Sequence, residues 1–175
     1  SGLLELKPTI VEWNDVLSAW AISTDTDKAY HAAKLLDQLS GRDENGVADS
    51  RYAMADASSY GHVLRACAFS DATQNWTKRC QKLGAEIAVR TWENFFLTTL
   101  KSTSHMYSFY LHAFLYIPNA TRRDKLMKDA FEDCCDRGLV NIHILRNLEK
   151  STSPDRYQSL LAPYIDAKLV NDKAL

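Results

Sequence analysis

The chain has 175 residues, 46% hydrophobic and 25% charged, enough for one domain with a sizeable core. Its 21 Lys and Arg stand against 22 Asp and Glu, so net charge gives no overall pull toward nucleic acid or an anionic membrane, and such binding would need a local basic face. No apolar run approaches about 18 residues, which excludes a membrane-spanning helix. No signal segment opens the chain, and Ser1-Gly2 reads as a processing or cloning boundary that leaves room for a lost targeting segment. With 6 Gly and 4 Pro, little of it is linker. Cys67, Cys80, Cys134 and Cys135 lack CxxC spacing and read as reduced packing residues. The sequons at Asn75 and Asn119 are short enough to arise by chance and are discounted.

Helical periodicity dominates. Ile10, Trp13, Leu17 and Trp20 step by three and four, the apolar stripe of a first helix entered just after Pro8. The polar turn at 23–27 offers N-caps to a second helix carrying Ala29, Ala32, Leu36 and Leu39, which Gly41 ends. Residues 41–55 form the longest polar stretch and are predicted to be a loop. Asp56 caps a third helix with Tyr60, Val63, Leu64 and Cys67. A long fourth helix carries Trp76, Cys80, Leu83, Ile87, Trp92, Phe95 and Phe96, with Gly84 weakening it slightly. Tyr107, Tyr110, Leu111 and Phe114 mark the fifth. Asn119 caps the next, which holds Met127, Ala130, Phe131 and Cys134 and closes at Gly138. Ile142, Leu145 and Leu148 predict a short helix, and Ser153-Pro154 opens another with Tyr157, Leu160, Leu161, Tyr164 and Ile165, fraying after Ala167. No strand pattern exists. The fold class is all-α, about eight helices in four hairpins.

Three of these helices spell one word. VEWNDVLSAW begins at Val11, SSYGHVLRAC at Ser58 and HMYSFYLHAF at His105. Trp13, Tyr60 and Tyr107 are spaced by 47 residues each time, followed by Leu17, Leu64 and Leu111, then Ala19, Ala66 and Ala113. Large ring, leucine one turn on and small residue suit a fixed helix crossing. One hairpin cannot cover both its apolar faces, whereas a stack can, so the pattern predicts an α-solenoid of about four stacked hairpins. The whole chain, 1–175, is then one helical-repeat domain with units at about 8–54, 55–101 and 102–138. A degenerate cap covers 139–167, where Pro154 occupies the next aromatic position.

The word, with its Trp13-Asn14 pair and the alanines and leucines of 29–39, resembles the pentatricopeptide repeat over about residues 8–138. Gly61 and Ser108 stand where the second and third units would repeat the asparagine. The resemblance implies a right-handed, non-catalytic α-solenoid that binds single-stranded RNA in a mitochondrion or chloroplast, reading one base per repeat. It places base readers at Asp15, His62 and Phe109, partners at Ala57 and Ser104, and residues packing beside the base at Glu12, Ser59 and Met106. Arg65, with His62, His105 and His112, adds positive charge to the groove. Glu12 and Asp15 would repel phosphate, Asp15 with Ala57 cannot make the usual base contacts, and Phe109 can only stack. These features and the neutral charge keep an alternative open: a protein-interaction scaffold or subunit of the same fold. A tetratricopeptide-type adaptor holding a peptide is the third.

Catalysis has little support. His105 and His112 share a helix face without a carboxylate or cysteine beside them, so no metal or other cofactor is expected. Cys134-Cys135 lacks a histidine at nucleophile spacing, and no Gly-rich phosphate loop occurs. Glu132 and Asp133 sit among Arg122, Arg123, Lys125 and Lys128 as a solvated helix face. Two basic clusters, Lys78-Arg79 with Lys82 and Arg122-Arg123 with Lys125, fall on second helices and read as solubilising surface.

Overall fold

The computed structural model describes residues 8–41, 54–69 and 76–172, the side chains of 165–172 excepted. Among these residues all regular structure is helical, as expected: α1 (Ile10–Ile22), α2 (Lys28–Leu39), α3 (Ala57–Ala68), α4 (Lys78–Phe96), α5 (Ser104–Ala113), a 3₁₀ turn (Phe114–Tyr116), α6 (Ala120–Asp136), α7 (Ile142–Ser151) and α8 (Pro154–Asp172). Most of the loop expected at 41–55 lies outside the described residues. No described helix is long and apolar enough to cross a membrane.

Local chemistry sets the helix starts. Asp56 and Ser59 cap α3 reciprocally: the Ser59 N–H donates to Asp56 Oδ1 at 2.9 Å and the Asp56 N–H to Ser59 Oγ at 3.2 Å. Thr77, Thr103, Asn119 and Asn141 accept from backbone N–H groups in the first turns of α4, α5, α6 and α7. Asp27 precedes α2 without a side-chain cap bond, its backbone at φ −98°, ψ 9° lying outside the extended region usual for an N-cap. Gly138 follows α6 at φ +66°, a left-handed conformation that glycine adopts without strain. The last helix runs through Pro163 to Asp172, beyond the fraying point expected at Ala167.

α1 packs on α3, α3 on α5, and α5 on α7, while α2 lies against α4 and both pack on α3. Leu17, Leu64 and Leu111 are all fully buried, as are Ala66 and Ala113, and Tyr60 and Tyr107 are buried beside them. The alanine column fails at Ala19, which is exposed: α1 has α2 and α3 as its main neighbours and no helix over that flank among the described residues. A fourth copy of the buried pair exists at Ile144 and Leu148, both fully buried, but it comes 37 residues after Tyr107 and Leu111 rather than 47. Pro154, where a 47-residue spacing lands, instead begins α8.

The second helices add the larger rings. Trp92 of α4 stacks on Tyr110 at 4.4 Å and meets Tyr107 edge-on at 4.8 Å, tying α4 to α5. Leu83 and Phe96 lie off that buried stripe and are exposed, Phe96 beneath the Arg137 guanidinium at 5.6 Å. Gly84 is required rather than merely tolerated. A Cβ there would lie 2.5 Å from the Phe69 ring and 3.0 Å from the Cys67 carbonyl. Lys28 is buried with its ammonium 4.4 Å from the Trp76 ring and 5.1 Å from that of Phe69. All four cysteines are free, and three are buried.

Candidate functional site

The residue after each aromatic turns toward the next first helix. Asn14 Nδ2 donates to both Asp56 carboxylate oxygens at 3.2 and 3.3 Å, and Asn14 Oδ1 accepts from Ser59 Oγ at 2.7 Å, locking α1 to α3. Ser108 accepts from Asn147 Nδ2 at Oγ (3.0 Å) and at its carbonyl (2.9 Å), locking α5 to α7. Gly61 holds the same place between α3 and α5, where a Cβ would come only to 3.6 Å from Met106 Cγ. The missing side chain leaves open space.

That space is a cleft of about 290 Å³ lined by Ala57, Ser58, Gly61, His62 and Arg65 of α3 with His105, Met106 and Phe109 of α5 and Thr103 before it. A second cleft of about 290 Å³ follows between α5 and α7, lined by Ser108, Phe109, His112, His143, Arg146, Asn147 and Lys150. Phe109 belongs to both, so the clefts are consecutive stretches of one groove. The groove collects His62, Arg65, His105, His112, His143, Arg146 and Lys150, and no carboxylate lines either cleft. Arg65, Arg146 and Lys150 form no ion pair with a described residue. Unpaired cations in a concave wall raise the local concentration of anions.

Burial holds His62 below the usual histidine range, with Arg65 adding to the shift and Asp56 and Asp15 opposing it. Burial also holds His112 down, opposed by its hydrogen bond with Asn147 and reinforced by Lys150. Both rings are therefore mostly neutral near pH 7.

Of the nine expected site residues, Ala57, His62, Arg65, Met106 and Phe109 meet in the first cleft. Met106 is a buried part of its floor. Ser104 begins α5 beside the cleft, outside its lining. Three others do different work. Ser59 is fully buried in the Asn14–Asp56 lock. The Glu12 carboxylate accepts from the Thr9 N–H at 2.6 Å and caps α1. Asp15 is exposed on α1, near enough to His62 to bear on its titration.

His105 and His112, seven residues apart on α5, open into different clefts. The α7 contribution escaped the fixed 47-residue count. The signal was the apolar pair Ile144 and Leu148, whose helix carries His143, Arg146 and Lys150 on its exposed side.

The fold also joins the two second-helix basic clusters. Lys78 and Lys82 of α4 and Arg123 of α6 line one cleft of about 400 Å³ with Tyr116 and Pro118. Arg122 is held apart in a two-pronged pair with Glu86 at 2.8 and 2.9 Å. Comparison with family models, curated proteins and solved structures finds no match to this chain.

Proposed function

We propose that the chain is a pentatricopeptide-repeat-like right-handed α-solenoid that binds single-stranded RNA, without catalysis, along the groove formed by α3, α5 and α7. The supporting observation is the groove lining: four imidazoles, two guanidiniums and one ammonium with no lining carboxylate, in a chain of net charge −1. Cations neutralise the phosphate backbone, and the Phe109 ring supplies a stacking face, the two elements of sequence-tolerant single-strand binding. The neighbour series α1–α3–α5–α7 and the recurring buried pair support the solenoid. Action in a mitochondrion or chloroplast is part of this reading and is supported by the sequence resemblance alone. A salt titration of a random single-stranded RNA pool tests this reading. Binding that weakens steeply with salt, and weakens further in His62→Ala and Arg65→Ala than in Lys78→Ala, is the expected result. No binding at low salt would remove the RNA reading.

One observation favours the scaffold reading at the other end of the molecule. α1 exposes Val11 (65%), Val16 (43%) and Ile22 (65%) with Ala19, apolar side chains interspersed with the exposed Glu12 and Asp15, a mixed face suited to a protein contact. If Val11→Glu with Ile22→Glu abolishes association with a protein partner and RNA binding is absent, the scaffold reading replaces the first.

A further inference from the structure

The two clefts differ in chemistry, although one groove contains both. The α3–α5 cleft has an apolar base of Gly61, Met106 and Phe109. In the α5–α7 cleft, Phe109 is the one apolar lining residue, and the rest are hydrogen-bonding or charged. Asn147 ties the two walls of this second cleft together, because its Nδ2 donates to the Ser108 Oγ and carbonyl and so joins α7 to α5. Arg146 and Lys150 project from α7 four residues apart, on one helix face, without an ion pair to a described residue. His112 faces them from α5, and His143 lies one turn before Arg146.

We infer that the α5–α7 cleft is a phosphate-binding subsite, in which Arg146 and Lys150, with His112 and His143, hold one phosphate group next to a base stacked on Phe109. This rests on the RNA reading for the source of the phosphate, a backbone phosphodiester, and the shared chemistry is a tetrahedral oxyanion. A guanidinium gives paired N–H donors to such a group, and an ammonium a mobile point charge. Division between an apolar, ring-bearing cleft and a cationic one would seat a nucleotide unit in one orientation.

The test is the salt dependence of binding to a labelled single-stranded RNA of mixed sequence. Each phosphate contact contributes a slope of about 0.7 in log K against log salt for single strands. Arg146→Ala with Lys150→Ala, both exposed and so without effect on folding by circular dichroism, should flatten the slope by about 0.7. Phe109→Ala should weaken binding about tenfold with its slope unchanged. An unchanged slope in the Arg146→Ala, Lys150→Ala protein, with RNA still bound, overturns the subsite and leaves the RNA reading standing. If the wild-type chain binds no RNA, that reading falls and the subsite is judged on tripolyphosphate. Thermal stabilisation by tripolyphosphate beyond a chloride control of equal ionic strength, lost in the double variant, sustains it. No such stabilisation overturns it.

Discussion

Gly61 and Gly84 look alike in the sequence, each a glycine inside a helical stripe. Their surroundings give them opposite meanings. A methyl at Gly61 meets Met106 Cγ at 3.6 Å, an ordinary contact, so Gly61→Ala should stabilise the fold by about 0.5–1 kcal/mol through helix propensity while narrowing the α3–α5 cleft. A methyl at Gly84 meets the Phe69 ring at 2.5 Å and the Cys67 carbonyl at 3.0 Å. Phe69 is itself buried at φ 44°, so it cannot retreat cheaply, and Gly84→Ala should destabilise by about 1–3 kcal/mol. Urea denaturation of the two variants reads both signs. Histidine gives a second prediction at this scale. His62 and His112 titrate below their unfolded value near 6.5. The unfolded chain therefore binds more protons just below that pH, and stability should fall as pH drops through and below about 6.5. Around His62 stand Arg65, Asp56 and Asp15, and around His112 stand Lys150 and Asn147. Anion binding should move the opposite way and tighten over the same interval, because a bound phosphate favours the protonated rings. His62→Gln with His112→Gln should flatten both profiles.

At the scale of the helix, the caps and the locks between first helices carry the architecture. Asp56 both caps α3 and receives Asn14 from α1, so Asp56→Ala should cost about 1–2 kcal/mol, measured by thermal denaturation. Burial pushes the pKa of this carboxyl up, yet the hydrogen bonds from Ser59, Asn14 and Ser58 together outweigh it and leave the pKa lowered. Its contribution is fully present above the unfolded carboxylate value and is lost as pH falls through the lowered folded one. Much of this scale was legible beforehand. Asp56, Asn119 and Ser153 announced their helices, and the leucine column lies in the core as the word implied. The fourth copy was not legible from spacing, because helix and loop lengths set the interval and the link from α6 to α7 is short. Nor was its face: Ile142 fits the apolar stripe of α7 yet is exposed at 56%, while Ile144 is buried. Three of the nine expected site residues stand outside the clefts for a related reason. Ser59 and Glu12 sit at the third helical position, where capping claims the side chain first, and Asp15 lies exposed on α1, outside both clefts.

For the whole molecule, net charge concealed the arrangement that matters. Glu86 pairs with Arg122 and Asp37 with Arg90 on the second helices, while Arg65, Arg146 and Lys150 of the groove form no ion pair with a described residue. The overall balance near zero is thus compatible with a basic groove. The outer cleft of Lys78, Lys82 and Arg123 is the competing anion surface on the second helices. Photocrosslinking of a labelled single-stranded RNA, with the adducts mapped to peptides, distinguishes the two surfaces most directly. The account predicts adducts on α5 and α7, centred on Phe109 and its neighbours His105, His112 and His143. Adducts confined to α4 and α6 around Lys78, Tyr116 and Arg123, or none at low salt, would contradict it.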